Sequence, residues 1–340
     1  MKQLILILLL AYFYHHDLKA AIDLEKYSQE FVLETKRIIL EDYEHAFNPS
    51  IIRFKGQLLM TFRVIPNALF TFNSKIGIVF LDEDFEPKSK PQILDTQDPN
   101  TVVPSRAEDA RLIIVKDKLF IVYSDNKEDY ISRGGFRVYV SELKLTGGQF
   151  IVGDTDCLKH FDGASPYLRE KNWVPFNYQD NLMLAYSLMP HKIFRPIPGT
   201  TCCENFSLST KSIDWQYGEL RGGTTAILED NQYISFFHSS IKMVTDHSNG
   251  KAMPHYFMGA YAFSSSPPFE ITHISKEPII GTNFYQGEYY KPYWGSVRCV
   301  FPCGFIIENE YIYVSYGRQD HEIWIVKIDK QALMMSLVVI

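Results

Sequence analysis

The sequence reads Leu112-Ile113-Ile114-Val115, then Lys116-Asp117-Lys118, then Leu119-Phe120-Ile121-Val122-Tyr123. Two runs rich in β-branched and aromatic residues flank a short polar turn. This pattern predicts a β-hairpin, because β-branched and aromatic side chains favour strands and the polar residues favour the turn.

The same hairpin pattern occurs five times along the chain. The other four copies are Ile51 to Phe62, Trp173 to Tyr186, Thr225 to Phe237 and Phe305 to Tyr316. Their starts are roughly 60 residues apart, a period that suits a four-stranded sheet with its loops. Sheets repeated radially form a β-propeller, so the sequence predicts an all-β fold, a five-bladed β-propeller. The alternative, a pair of β-sandwiches, does not require one hairpin five times.

Further strand-like runs lie between the hairpins and are predicted to supply the outer strands of the blades. They are Ile76 to Leu81, Phe136 to Leu143, Phe206 to Ser209, Tyr256 to Phe263 and Ile323 to Ile328. Leu24 to Ile39 is the one candidate for a helix of useful length, ahead of the first blade.

The composition supports a folded protein with a large core. The chain has 340 residues, of which 46% are hydrophobic and 22% are charged, with a net charge of −6. These proportions argue against a disordered chain. The mild acidity, without a block of Lys or Arg, argues against nucleic acid or an anionic membrane as the main partner.

The N-terminus has the layout of a secretory signal peptide. Lys2 precedes the apolar run Leu4 to Tyr14, and small residues follow at Ala20 and Ala21. We therefore expect a signal peptide over residues 1–20, one propeller domain over residues 21–340, and an exported or secreted protein without membrane attachment. An uncleaved N-terminal anchor is the alternative.

The cysteines give no metal pattern. Five are present, so internal pairing is incomplete, and no two have the CxxC spacing of a zinc site. A bridge from Cys157 to Cys202 or Cys203 stays open. Asn205-Phe206-Ser207 is a glycosylation sequon in a eukaryotic host. We expect no metal and no cofactor, with inorganic phosphate as the one candidate co-substrate.

Polar residues recur next to the predicted inner strands. In a propeller these positions surround the central channel, where ligand sites gather. The residues concerned are Asn48, Arg63, Arg106, Glu108, Asp109, Arg111, Lys171, His238 and Asp320. The sequence therefore predicts one polar site on the axis of the molecule.

At these residues the chain resembles glycoside hydrolase family 130, the β-mannoside phosphorylases and β-mannosidases. The segment from Glu108 to Arg111 is similar to the family's Glu-Asp-Pro-Arg motif, and the segment from Tyr316 to Asp320 to its Tyr-Gly-x-x-Asp motif. Asn48-Pro49 with Arg63 resembles the family's first blade, and His238 resembles a histidine that closes its fourth. The likeness runs through nearly the whole mature chain in order.

The resemblance implies a glycoside-cleaving enzyme in which Asp109 is the general acid, delivering its proton partly through a hydroxyl of the bound mannose. It also implies that Glu108 binds sugar, with Asn48, Arg63, Arg111 and Asp320 as further substrate-binding residues. The chemistry is reasonable, because cleavage needs a proton donor near the leaving oxygen. Glu108 favours a raised pKa for Asp109, whereas Arg106 and Arg111 oppose it, so the sign stays open. A structural ion pair of Asp109 with Arg111 is the alternative.

The chain departs from the family where phosphorylases bind phosphate. Lys171 and His238 are two candidate phosphate ligands, and Arg169, Arg221 or Arg318 is a candidate third. Leu184-Ala185-Tyr186-Ser187, however, stands where the family usually has a His-Arg pair. A phosphate dianion favours bidentate arginines, so the loss favours hydrolysis over phosphorolysis. Ala110 replaces the motif's proline, a change that concerns the backbone.

Hydrolytic members of the family use acidic residues to activate water. Candidates here are Glu204, Glu229 and Glu288, with nothing to choose between them.

Three function classes stay open. They are a glycosidase acting on an oligosaccharide or glycan, a mannoside phosphorylase or mannosyltransferase, and a non-catalytic carbohydrate-binding propeller. Retention of both Asp109 and Asp320 favours an enzyme. Trp173, Trp294 and Tyr316 are candidates for stacking on sugar rings, although burial in the core is the commoner role of aromatic residues in sheets.

Overall fold

The chain folds as a five-bladed β-propeller in a computed structural model that describes residues 22–43, 45–66, 73–127, 135–165, 167–288 and 295–340. Five antiparallel sheets are arranged around one axis, and the predicted fold is confirmed. The predicted signal peptide lies outside the described residues, so it and the domain boundary stay predictions. No helix in the described ranges is long and apolar enough to cross a membrane.

Each blade contains one of the five predicted hairpins as its two inner strands. Blade one is β2 (Phe47–Phe54), β3 (Gln57–Val64), β4 (Lys75–Leu81) and β5 (Gln92–Ile93). Blade two is β6 (Glu108–Val115), β7 (Lys118–Asp125), β8 (Arg137–Thr146) and β9 (Gln149–Leu158). Blade three is β10 (Val174–Tyr178), β11 (Asn181–Leu188), β12 (His191–Pro196) and β13 (Cys203–Ser209).

Blades four and five are completed by the two ends of the chain. Blade four is β14 (Arg221–Gly222) and β15 (Ile227–Glu229) on β16 (Gln232–Met243), then β17 (Met253–Ser264), β18 (Ile271–Ser275) and the C-terminal β22 (Leu337–Val339). Blade five is β19 (Val300–Glu308), β20 (Tyr311–Arg318), β21 (Glu322–Asp329) and β1 (Val32–Ile38). The one α-helix among the described residues, α1 (Lys330–Ser336), precedes β22, and short 3-10 helices lie at Leu24–Tyr27 and Asp246–Ser248.

The helix candidate at Leu24 to Ile39 is wrong. Only Leu24–Tyr27 is helical, as one 3-10 turn, and β1 pairs antiparallel with β21 from Val32↔Ile328 to Ile38↔Ile323. The N-terminal strand therefore supplies the outer strand of the last blade and closes the ring. Local sequence cannot show this, because the partner strand is almost 300 residues away in the chain.

Blade three contains one strand beyond those predicted. The run Phe206 to Ser209 belongs to β13, the outermost strand of the blade, as predicted. The third strand is β12, His191–Pro196, which the sequence reading missed. Its short length and terminal proline weaken the strand pattern there, because proline is depleted in strands.

Four of the five hairpins turn through two residues with positive φ. In blade two these are Lys116 (φ 51°) and Asp117 (φ 62°), between the paired residues Val115 and Lys118. Positive φ at both central residues is the type I′ geometry, whose twist matches that of the flanking strands. The tight turn sets the register that places each inner strand at the axis.

The core lies between neighbouring blades. Between blades one and two, for example, Leu59 and Ile78 pack in one buried cluster with Leu112, Ile121 and Tyr123. No disulfide bond joins any of the five cysteines, so the bridge from Cys157 is not formed.

Candidate active site

The inner strands of blades one and two begin with the same irregularity. Register shifts occur between Phe47 and Ser50 in β2 and between Glu108 and Arg111 in β6. Within these bulges Asn48 has φ 49° and Asp109 has φ 57°. Bulges re-aim side chains, and left-handed residues other than glycine cluster at functional sites. Asn48 and Asp109 thus occupy equivalent positions of adjacent blades.

The two bulges bring their polar side chains into direct contact. Asn48 Nδ2 donates to Asp109 Oδ1 at 2.8 Å, and both residues are buried. Arg63 bridges the two acids, with Nη2 2.8 Å from Glu108 Oε2 and Nη1 3.5 Å from Asp109 Oδ1. The structure therefore places Asn48, Arg63, Glu108 and Asp109 in one buried cluster.

Arg63 is itself held by a residue that the sequence reading missed. Its Nε donates to Ser74 Oγ at 2.8 Å, and Ser74 Oγ donates to the carbonyl of Ala107 at 2.8 Å. Ala107 directly precedes the acidic pair. The serine thus fixes both the arginine and the start of β6, and no sequence pattern marks it.

The environment of Asp109 resolves the sign that the sequence left open. Burial alone would raise the pKa of Asp109, but Arg63, Lys171, the hydrogen bond from Asn48 and Arg111 together lower it below the usual value. Asp109 is therefore a carboxylate at neutral pH in the free site. It accepts hydrogen bonds there, and proton donation requires the minor protonated form.

Asp320, which lies between β20 and β21 of blade five, interacts electrostatically with Arg63. Its carboxylate is one of three, with Glu108 and Asp109, that raise the pKa of Arg63 against the opposing effect of burial. Asp320 Oδ1 also accepts from Cys299 Sγ at 3.7 Å. The preceding Gln319 holds Cys299 through two hydrogen bonds, at 2.8 Å and 2.7 Å.

Gly317 explains how blade five approaches blade one so closely. A Cβ atom at this position would lie 2.0 Å from Asn48 Oδ1 and 2.9 Å from Asn48 N. Contacts below 3.0 Å are not tolerated, so only glycine fits against the bulge. The close packing of Asn48 therefore requires a glycine at this position of the Tyr-Gly-x-x-Asp pattern.

Arg111 occupies a structural position beside the acids. Its guanidinium donates to the carbonyl of Gly223, to that of Asp109 at 3.1 Å and to that of Gly222 at 3.5 Å. A further bond reaches Asn172 Oδ1 at 3.4 Å. These bonds join blades two, three and four at the axis, and the hydrogen bond to Asp109 goes to its backbone.

The two candidate phosphate ligands border the cluster, but only one carries charge. Lys171 Nζ lies 3.9 Å from Glu108 Oε1. Burial, reinforced by Arg111, Arg221 and Lys171, lowers the pKa of His238 well below its usual value, so this ring is neutral. It lies 4.4 Å from the ring of Phe301 and 6.0 Å from that of Tyr256.

Within the described part of the chain, three buried polar atoms of this region have no hydrogen-bond partner. They are Asn48 Oδ1, Glu108 Oε1 and His238 Nδ1. Buried polar groups in proteins are almost always hydrogen-bonded, so unpaired ones call for an explanation. A ligand rich in hydroxyl groups can supply donors to the two oxygens.

Other sequence candidates lie elsewhere. Trp173 and Tyr316 are buried in the core, with 1% and 0% of their surface exposed, so neither can stack on a sugar. Trp294 lies outside the described residues. Glu204 pairs with Arg195 on the outer strand β13, and Glu229 pairs with Lys330. Neither glutamate is placed to activate water at the axis.

Glu288 and three arginines remain among the sequence candidates. Glu288 is exposed in the connection between β18 and β19. Arg221 pairs with Glu219, Arg318 pairs with Glu322, and Arg169 lies over the ring of Phe136 at 4.6 Å. The described residues contain no group of three His, Cys, Asp or Glu side chains that could hold a metal ion.

Comparison with known proteins finds similarity in structure alone. Neither a protein-family model nor the sequence of a curated protein matches this chain. Many solved structures do match. One is described with the GH130 family of mannoside phosphorylases, which contains glycoside hydrolases that target β-1,2 mannosidic linkages in Candida mannan. Its TM-score is 0.63 at 11% identity, over 93% of this chain and 96% of that one.

Two similar structures come from Leishmania mexicana. The mannose phosphorylase MPT-4, solved with a phosphate ion, has a TM-score of 0.58 at 14% identity and covers 93% of both chains. The GDP-Man-dependent mannosyltransferase MPT-1 has a TM-score of 0.56 at 13% identity, over 88% of this chain and 91% of that one.

These comparisons define the class of protein by its architecture. The chain is a five-bladed propeller whose structural neighbours include GH130 mannoside phosphorylases and glycoside hydrolases, as the sequence resemblance implied. At 11% to 14% sequence identity, the similarity to these structures is a similarity of fold alone.

Proposed function

We propose that this protein is a carbohydrate-active enzyme that cleaves β-linked mannosides or related glycosides, with Asp109 as its general acid. The observation that carries the proposal is the buried pair Glu108–Asp109, held by Asn48 and Arg63 where the blades meet. Neighbours with this fold are described as mannoside-active enzymes. The unpaired oxygens of Asn48 and Glu108 suit the hydroxyl groups of a sugar.

Asp109 must be protonated in order to act as an acid. The resemblance implies that its proton reaches the leaving oxygen partly through a sugar hydroxyl, so a direct contact is not required. Glu108 stays beside it as the acceptor for sugar hydroxyls, fixed by Arg63 at 2.8 Å. General acid catalysis of this kind contributes roughly 10² to 10⁴ in rate.

The charges of the cluster favour water as the acceptor. Three carboxylates, on Glu108, Asp109 and Asp320, face the cations of Arg63 and Lys171, while His238 is neutral. A phosphate dianion added here meets one partly exposed lysine that already lies near Glu108. Loss of a charge-assisted contact of about 1.5–3 kcal/mol leaves such a site weak. Hydrolysis is therefore favoured over phosphorolysis and over transfer from a phosphorylated donor.

A specific observation supports a second candidate, a non-catalytic carbohydrate-binding propeller. The lowered pKa of Asp109 gives a carboxylate that binds hydroxyl groups well and donates a proton poorly. The two functions differ in whether any turnover occurs.

Replacing Asp109 by asparagine tests the assignment of the acid. We expect Asp109→Asn to fold normally, because asparagine tolerates a left-handed φ, and to lose about 10²- to 10⁴-fold in turnover. Asp117→Asn is the matched control, since Asp117 is also left-handed but lies at the far end of the same hairpin. Equal activity of the two variants would remove Asp109 from its role.

Product analysis tests the acceptor. The protein is incubated with β-1,2-, β-1,3- and β-1,4-mannooligosaccharides, with and without millimolar phosphate. We expect free mannose at a rate that phosphate does not change. Mannose-1-phosphate formed only with phosphate would identify a phosphorylase, and binding without products would identify the carbohydrate-binding alternative.

A further inference from the structure

The first described residues form a strap across two connections of the propeller. Ile22 forms a parallel bridge with Thr245, and His247 Nε2 lies 3.1 Å from Asp23 Oδ1. Gln29 Nε2 donates to the carbonyl of Pro278 at 2.7 Å. We call residues 22–31 the N-terminal strap.

Glu25 makes the most concentrated set of contacts in the strap. Its Oε1 accepts from the backbone N–H of Tyr285 at 2.8 Å. Its Oε2 accepts from the backbone N–H of Asn283 at 3.0 Å and from Gln286 Nε2 at 2.6 Å. Three donors thus converge on one carboxylate, and all three belong to one four-residue segment of the connection between β18 and β19.

That segment supports the chain next to Asp320. The carbonyl of Asn283 accepts from Arg318 Nη1 at 2.7 Å, and the carbonyl of Gln286 accepts from Gln319 Nε2 at 3.3 Å. Gln319 in turn holds Cys299, whose thiol faces Asp320. A continuous set of hydrogen bonds therefore runs from Glu25 to Asp320.

The same segment also reaches the aromatic side of the site. Tyr285 Oη donates to the carbonyl of Tyr256 at 3.0 Å, and the ring of Tyr256 stacks on that of His238. Holding the backbone of Tyr285 in place therefore also holds Tyr256 against His238.

We propose that Glu25 is a positioning residue that holds the 283–286 segment and, through Gln319, sets Cys299 and Asp320 in the candidate site. Its importance for sugar binding rests on the proposed function. A carboxylate is required because both of its oxygens accept hydrogen bonds. In glutamine one of the two oxygens is replaced by an NH₂ group, which is a donor and would face the N–H of Asn283 or Tyr285. Glu25→Gln keeps the shape of the side chain and removes this property.

The test compares Glu25→Gln with Glu30→Gln in the full chain. Glu30 is an exposed glutamate of the same strap. Amide hydrogen exchange at Asn283 and Tyr285 reports the direct contact without any substrate. We expect Glu25→Gln to accelerate exchange at both amides roughly tenfold, equivalent to about 1.4 kcal/mol, and Glu30→Gln to leave it unchanged. Unchanged exchange in Glu25→Gln would overturn the proposal.

Alkylation of Cys299 reports the far end of the hydrogen-bond set, again without substrate. Cys303 is the internal reference, because it is buried in β19, the strand that begins directly after Cys299. We expect Glu25→Gln to raise the ratio of Cys299 to Cys303 labelling, read by peptide mass spectrometry. Faster exchange at residues 283 and 285 with an unchanged labelling ratio would overturn the link from Glu25 to the site.

Kinetics then separate this inference from the proposed function. With an active wild type, we expect KM for the mannooligosaccharide to rise roughly tenfold, about 1.4 kcal/mol, with kcat little changed. An unchanged KM would overturn the positioning role. Absence of turnover in the wild type would reject the proposed enzyme, while exchange and labelling still decide the role of Glu25.

Discussion

At the scale of single residues, the surroundings of Asp109 oppose the protonation that catalysis requires. Catalysis needs a proton on the carboxyl group, whereas Arg63, Lys171 and Asn48 stabilise the charged form. The ionised form gives the folded protein stability that is present above the usual pKa of about 3.9 and is lost as pH falls through the lower folded value. The same cations that hold the side chain in place therefore limit its acidity at neutral pH.

This conflict predicts the pH dependence of the reaction. Because the pKa of Asp109 is lowered, the protonated fraction grows about tenfold for each unit that pH falls between 7 and 5. We expect kcat/KM to rise with that slope, with circular dichroism confirming that the fold persists. His238 does not interfere, since its own pKa is lowered as well. A kcat/KM that does not change, or that falls, as pH is lowered would contradict general acid catalysis by the Asp109 carboxyl group of the free enzyme.

At the scale of secondary-structure elements, the site depends on where strands begin. The bulge of β2 holds Asn48 against the end of β20, and only the absence of a side chain at Gly317 allows the approach. The hydrogen bond from Asn48 to Asp109 follows from this contact between blades one and five. Strand geometry thus controls the electrostatics of the acid.

Gly317→Ala should therefore disturb both stability and activity. The new Cβ would meet Asn48 Oδ1 at 2.0 Å, so Asn48 must move away from Asp109. We expect a loss of about 1–3 kcal/mol in the free energy of unfolding, as in other overpacked sites, together with reduced turnover. Gly295→Ala is the control, because its Cβ would meet no atom of the described residues within 4 Å. Denaturant titration and kinetics are measured for both variants. Equal free energies of unfolding and equal turnover would show that Gly317 and Asn48 are not tightly packed.

At the scale of the whole molecule, the ring is closed by the pairing of the first strand with the last blade. β1 hydrogen-bonds to β21, and Ile38 packs in the buried cluster that also contains Ile323 and Ile325. The same cluster includes residues of blade one, such as Met60. Packing at this seam therefore joins both ends of the propeller.

Two adjacent isoleucines test the importance of the seam. Ile38 is 3% exposed, whereas Ile39 is 61% exposed. We expect Ile38→Ala to lower the free energy of unfolding by about 2–5 kcal/mol and Ile39→Ala to change it by less than about 0.5 kcal/mol. Urea denaturation measures both. Similar small losses would indicate that the ring does not depend on this packing.

The sequence by itself determined the repeated hairpin, and with it the propeller. The runs beginning near Ile51, Leu112, Trp173, Thr225 and Phe305 all form inner strands, because alternation and turn residues are properties of neighbours along the chain. The sequence also singled out Glu108, Asp109 and Asp320, since short motifs keep their spacing. These features need no knowledge of distant contacts.

Only the tertiary structure decided the rest. The closure of the ring by β1, the support of Arg63 by Ser74, the commitment of Arg111 to backbone carbonyls and the direction of the pKa shift of Asp109 all depend on residues brought together from different blades. Burial and Coulomb interactions act through space and change sharply with distance. A linear pattern names the charged groups, but it does not contain the distances that decide which of them prevails.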